Sequence, residues 1–107
     1  MLGQEKRDRF ANELKADGQA STRNGEIIAA TFAPSAADVI GEPRTVDPSE
    51  FDGVDFAYIV VRNNYSGGRI AWSTPIALTT ERLDALRLIR ALGRGHALYD
   101  LKTGDEA

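Results

Sequence analysis

From Phe56 to Leu78 the chain reads FAYIVVRNNYSGGRIAWSTPIAL, two apolar runs rich in β-branched and aromatic residues around a polar centre. Runs of that length and composition favour strands over a helix, and the pair reads as a β-hairpin over about 56–78. It is the one stretch able to nucleate a sheet unaided, so the rest of the fold must be arranged about it. Phe56, Tyr58 and Val60 alternate with Ala57, Ile59 and Val61, which makes both faces apolar and places this strand in the middle of a sheet. Asn63 to Gly68 supplies turn chemistry, because Asn and Gly reach positive φ cheaply. On the return strand, Arg69 to Ser73, Ile70 and Trp72 share one face. Pro75 has no N–H to give a ladder, so the sheet should end there or the strand should lie at an edge.

The flanking segments supply what covers this sheet. Gln4 to Asp17 carries charges of both signs without Gly or Pro and stops at Gly18, which predicts a helix. Its apolar stripe is thin, with Phe10, Ala11 and Leu14 as members. It reads either as a peripheral helix across the core or as an arm (1–18) that waits for a partner. Ser21 to Gly25 reads as a polar turn. Glu26 to Ala33 reads as a strand apolar on both faces through Ile27, Ile28 and Phe32, closed by Pro34.

Thr79 or Thr80 is placed to cap a long amphipathic helix over about 80–94. Glu81 and Asp84 lie in its first turns and Arg90 and Arg94 at its end, as the helix dipole prefers. Ala85, Leu86, Leu88, Ile89 and Leu92 fill one arc that must cover the sheet. Gly93 and Gly95 end the helix, His96 to Leu101 returns as a strand, and 102–107 is expected to fray. The order is helix, strand, loop, hairpin, helix, strand. It predicts a small two-layer α+β domain with an antiparallel sheet built on the central hairpin and both helices on one side.

At 107 residues the chain is expected to be one domain. A formal net charge of -3 names no partner. The absence of cysteine excludes disulfides, thiolate metal sites and Cys nucleophiles. The start of the chain is charged rather than apolar, and no apolar run approaches the roughly 20 residues of a bilayer span. The expectation is an intracellular, cytoplasmic protein with no membrane contact.

Three surfaces stand out. The first is a line on the second helix, Leu83, Arg87, Arg90 and Arg94, which projects away from the core arc and suits carboxylates or phosphates through guanidinium forks. The bland account is that these arginines solvate the helix, with Asp84 pairing to Arg87. The second is the hairpin, where Arg62 and Arg69 flank Tyr65 and precede Trp72, a mixture of cations and aromatics that can hold single-stranded nucleic acid. The third is Asp38 to Asp55, an irregular acidic stretch with six carboxylates against Arg44 alone. Val46, Phe51 and Val54 are available to pin it to the core, and a short strand is expected around Arg44 to Val46. An EF-hand register fails there, because Pro48 and Ile59 fall on the first and twelfth ligand positions. The acidic and arginine-rich regions can meet within the fold or between copies of the chain.

For catalysis, Ser73, His96 and Asp100 can be assembled only on paper, and no serine sits in a nucleophile-elbow pattern. The expectation is a non-enzymatic module, without metal or cofactor, that binds another protein. Leu83, Arg87, Arg90, Arg94, Tyr65 and Arg69 are the contact residues. Homo-oligomerisation is open, and the alternative is nucleic-acid binding through Arg62, Arg69 and Trp72.

Overall fold

The computed structural model describes residues 3–31, 39–104 and 106. In chain order these form helix α1 (Gln4–Ala16), strands β1 (Gln19–Arg23), β2 (Glu26–Thr31) and β3 (Glu42–Thr45), and a short 3-10 helix (Pro48–Phe51). Strands β4 (Tyr58–Ser66) and β5 (Arg69–Thr79), helix α2 (Arg82–Leu92) and strand β6 (His96–Asp100) follow. The six strands make one sheet in the order β3-β1-β2-β5-β4-β6. Every pairing in it is antiparallel. The α+β class, the central hairpin and the two helices are as the sequence leads one to expect.

The hairpin is longer and its turn tighter than expected. The polar residues Asn63 to Ser66 stay in β4, and only Gly67 and Gly68 turn, with φ of 61° and 79°. Two consecutive positive φ values suit a glycine pair and match the twist of the flanking strands. The asparagines do ladder work instead of turn work. Asn64 donates from Nδ2 to Thr74 Oγ1 at 3.1 Å, and Ser73 donates to Asn63 Oδ1 at 2.9 Å.

Pro75 does not end the sheet, and β5 runs on to Thr79 between β4 and β2. The ladder explains why. Asn63 gives its N–H to Gly95 O at 2.6 Å, away from β5. Its cross-strand partner Ser73 therefore turns its own backbone groups outward, and so does Pro75 two residues on, opposite Val61. The N–H that proline lacks is one that β4 would not use. Pairing of β5 with β2 begins only at Ala77, and Ile76 forms a bulge between the two regimes.

The layering differs from two helices on one side. Phe10 and Leu14 of α1 pack with Ile59, Val61, Leu78, Ala97 and Tyr99. Leu88 and Ala85 of α2 pack with Ala29, Ala77, Val60 and Leu98. Ile59 and Val61 point opposite to Val60, so each helix covers its own face of the sheet. The strand that is apolar on both sides calls for this, since each face needs a cover. The few apolar residues of α1 thus sit in the main core rather than on a detached arm, and Arg7 is buried with them.

Other local expectations are corrected by pairing that no local pattern announces. Ser21 to Arg23 is strand, and only Asn24 and Gly25 turn, with φ of 54° and 81°. Ala20, Ser21 and Thr22 are buried between β2 and β3 because small side chains allow it. The acidic stretch is not one long loop. Glu42–Thr45 adds to β1 as an exposed edge strand, and Asp47 caps the 3-10 helix by accepting from Ser49 N at 2.9 Å. Val46 and Phe51 are buried, as pins should be, and Val54 is half-buried.

Helix α2 starts after Glu81 rather than at a threonine cap, because Thr79 is still strand. Leu86 falls outside the buried arc, and Asp84 inside it. The chain end does not fray up to Gly104. Asp100 Oδ1 accepts from Lys102 N and Thr103 N, and Gly104 O accepts from Arg7 Nη1. Phe32, Ala33, the Pro34 stop, Asp38, Asp105 and Ala107 lie outside the described residues.

Candidate interaction surface

Strand β6 pairs with β4 only as far as Arg62, and β2 pairs with β5 only from Ala77. Between Asn63 and Ser73, therefore, no other described strand pairs with the hairpin, and among the described residues it is a two-stranded ribbon. The described residues span 43 × 27 × 21 Å. A ribbon of two strands has little stability of its own.

The ribbon carries large apolar side chains in water. Tyr65 is 58% exposed, Ile70 50% and Trp72 57%. Trp72, the only tryptophan, is exposed rather than core. A second bulge, at Ala71, sets Tyr65 opposite Ile70 but Asn64 opposite Trp72. Neighbouring residues of β4 point to opposite faces, so the apolar pair Tyr65 and Ile70 and the indole of Trp72 look out from the two sides of the ribbon.

On the α2 side, Arg62, Asn64, Tyr65, Trp72 and Arg94 line an open cleft of about 450 Å³. Gly93 ends α2 with φ of 86°, and His96 Nδ1 lies 3.0 Å from Gly93 O. This turn delivers Arg94 beside the ribbon. On the α1 side, Ile70 borders a smaller cleft of about 230 Å³ with Lys6 and Tyr99, and Trp72, at the edge of the ribbon, borders both clefts. Burial pushes the Tyr99 phenol above its ordinary range, with Glu106 and then Tyr65 adding to the effect.

The sequence-derived contact residues fall into two groups. Tyr65, Arg69, Arg62, Trp72 and Arg94 gather on and beside the ribbon. Leu83, 58% exposed, lies at the opposite end of α2. Nine residues separate it from Leu92, about 13 Å along the axis. Arg87 reaches within 3.9 Å of Asp84, and Arg90 is exposed in the last turn. Among the described residues the guanidinium groups of Arg62, Arg69, Arg90 and Arg94 form neither an ion pair nor a hydrogen bond. No Asp or Glu occurs from Phe56 to Thr80, so the ribbon is cationic along its whole length.

Other chemistry is dispersed. Ser73 bonds to Asn63, His96 faces Gly93 O, and Asp100 caps the closing turn. No three His, Asp or Glu side chains converge on a metal position among the described residues. Asp47 lies below the ordinary carboxylate range because Ser49 donates to it from its backbone and its side chain. Glu50 accepts from Asp47 N at 2.9 Å and lies 3.4 Å from Arg44. Both carboxylates shape the 3-10 turn.

Two features had no local signal in the sequence. One is the shared exposure of Tyr65, Ile70 and Trp72 on the ribbon, which depends on where β6 stops. The other is the burial of Asp84 against Arg23. The chain matches no protein-family model, no curated protein and no solved structure.

Proposed function

We propose that this chain is a non-enzymatic module that binds another protein through the ribbon formed by β4 and β5. One observation carries this reading. Tyr65, Ile70 and Trp72 are at least half exposed on the β4–β5 ribbon, framed by Arg62, Arg69 and Arg94, whose guanidinium groups have no partner among the described residues. Aromatic and arginine side chains dominate the binding energy of protein interfaces, as apolar anchors and as bidentate contacts to carboxylates. Because the apolar groups occupy both sides of the ribbon, a partner would clasp it rather than lie flat against it. The module then works by masking or bridging. Leu83 with Arg87 and Arg90 forms a second, separate contact on α2.

Neither a metal nor a cofactor enters this reading, and the setting we assign is the cytoplasm. No described helix is long and apolar enough to cross a membrane.

The test compares wild-type protein with the double variant Tyr65→Ala/Trp72→Ala as baits. Both side chains are solvent-facing, so the variant should fold with its far-UV spectrum and unfolding midpoint nearly unchanged. The wild type should retain a discrete protein partner that the variant loses. Equal retention by the two baits would remove the ribbon from the interface.

Nucleic-acid binding is the second reading, favoured by Trp72 standing between Arg62 and Arg94 in one cleft. It predicts a steep linear fall of log affinity with log salt. An interface anchored by Ile70 and Trp72 has a shallower slope.

A further inference from the structure

A third cleft lies at the other end of β5. It has a volume of about 610 Å³, and Ile27, Ile28 and Val54 form its apolar part. Glu26, Asp55 and Glu81 ring it, together with Glu50. The cations nearby are Arg44, 3.4 Å from Glu50, and Lys102, 3.5 Å from Asp55, both in exposed pairs that water screens, and Arg23, which stands opposite Glu26 and feels the charge of Glu81 but gives its hydrogen bonds to Asp84 and Ile40 O. The side chains of Glu26 and Glu81 form no hydrogen bond or ion pair among the described residues. The ribbon tip is the converse, with apolar side chains amid unpaired arginines.

The two sites cannot meet within one molecule. Strand β5 runs 11 residues from Arg69, at the ribbon turn, to Thr79, the neighbour of Thr80 in the cleft wall. At about 3.3 Å per residue that is roughly 33 Å of strand.

We infer that the ribbon of one copy seats in the acidic cleft of a second copy. The inference rests on the reading of the ribbon as a protein-binding element and names its occupant. Charge complementarity selects the partner: Arg62 and Arg69 face the carboxylates of Glu26 and Glu81, while Ile70 or Trp72 covers the apolar floor. Addition of a bare strand to the ribbon edge is a poorer fit, because the Ala71 bulge interrupts the ladder and Pro75 removes a donor. The contact joins two different surfaces, so it runs head to tail and leaves one ribbon and one cleft open at the ends.

That asymmetry gives the test. Light scattering at low salt should show the wild-type mass rising with concentration past that of a dimer, and returning to 11.6 kDa near 1 M salt. The variant Arg62→Glu/Arg69→Glu, with a dead ribbon, and the variant Glu26→Gln/Glu81→Gln, with a neutral, dead cleft that offers nothing to the reversed ribbon, should each be monomeric alone. Mixed in equal amounts they should reach twice the monomer mass and stop, since one cleft and one ribbon remain intact. Unchanged circular dichroism and unfolding midpoints establish that both variants fold.

A wild type that stays monomeric at every concentration overturns the inference. So does a dimer whose two variants do not complement each other, which points to a symmetric contact. If the wild type is monomeric while Tyr65→Ala/Trp72→Ala still loses a separate protein partner, the ribbon reading survives without the second copy. If the double variant loses nothing, both fall.

Discussion

Arg23, at the end of β1, donates from Nη2 to Asp84 Oδ1 at 2.8 Å and to Ile40 O at 3.0 Å. The two residues are 61 positions apart, and Asp84 is only 1% exposed. A carboxylate in the first turn of α2 is thereby held under the sheet by a guanidinium from another strand. The Asp84 hydrogen bond, and then its charge, raise Arg23 above even its usual range. Asp84 Oδ2 is buried with no hydrogen-bond partner among the described residues, so Oδ1 and its contact with Arg23 matter all the more.

Arg23→Ala should therefore cost about 2 kcal/mol. That is less than the several kcal/mol of breaking a fully buried pair, because the guanidinium is partly in water. Urea unfolding measures it, and a loss below about 0.5 kcal/mol would mean the pair is dispensable. Arg23→Lys keeps the charge without the fork and should fall between.

Leu14→Ala should cost about 3 kcal/mol. Leu14 is fully buried among Phe10, Phe56 and Leu78, and truncating such a leucine loses its transfer energy and leaves a cavity. A shift of the urea midpoint by less than a fifth of the total would show α1 to be a removable arm.

The proline rule in β5 yields a paired test. Pro75→Ala should change stability by less than about 1 kcal/mol, because the restored N–H faces away from β4. Thr74→Pro removes a donor that points into the ladder, opposite Arg62, and should cost about 3 kcal/mol or more. Equal costs at the two positions would refute the ladder phase derived from Asn63.

Tyr99 supplies a pH dependence. Its folded value is raised above the ordinary tyrosine value of 10.0. The folded state therefore holds the phenol proton where the unfolded chain has lost it. Stability is full below about pH 10 and declines as pH rises from there through the folded value. Tyr99→Phe should lose less stability between pH 9 and 11 than wild type, read as the difference in unfolding midpoints. Parallel curves would assign the alkaline loss to other groups.

Much of this architecture is local in origin and could be read in advance. The alternation of Phe56 to Val61, the glycine pair at 67–68, the 3.6-residue periodicity of 82–92 and the stop at Gly18 are short-range facts. Each acts through the sterics or solvation of its own few residues. The exposed positions of Tyr65, Arg69, Leu83 and Arg94 also follow from such patterns, and so they were legible.

What only the tertiary structure decided depends on neighbours distant in sequence. Strand β1 forms because β2 and β3 flank it, though QASTR has little strand character of its own. Pro75 survives inside the sheet because β4 does not need its N–H. Asp84 is buried because Arg23 arrives from the other end of the chain. Tyr65, Ile70 and Trp72 are exposed together because β6 pairs with β4 only as far as Arg62, and Leu83 lies a helix-length away. Side-chain pattern determines which residues prefer burial and which backbone state they adopt. Where partner strands begin and end is settled by the packing of the whole chain.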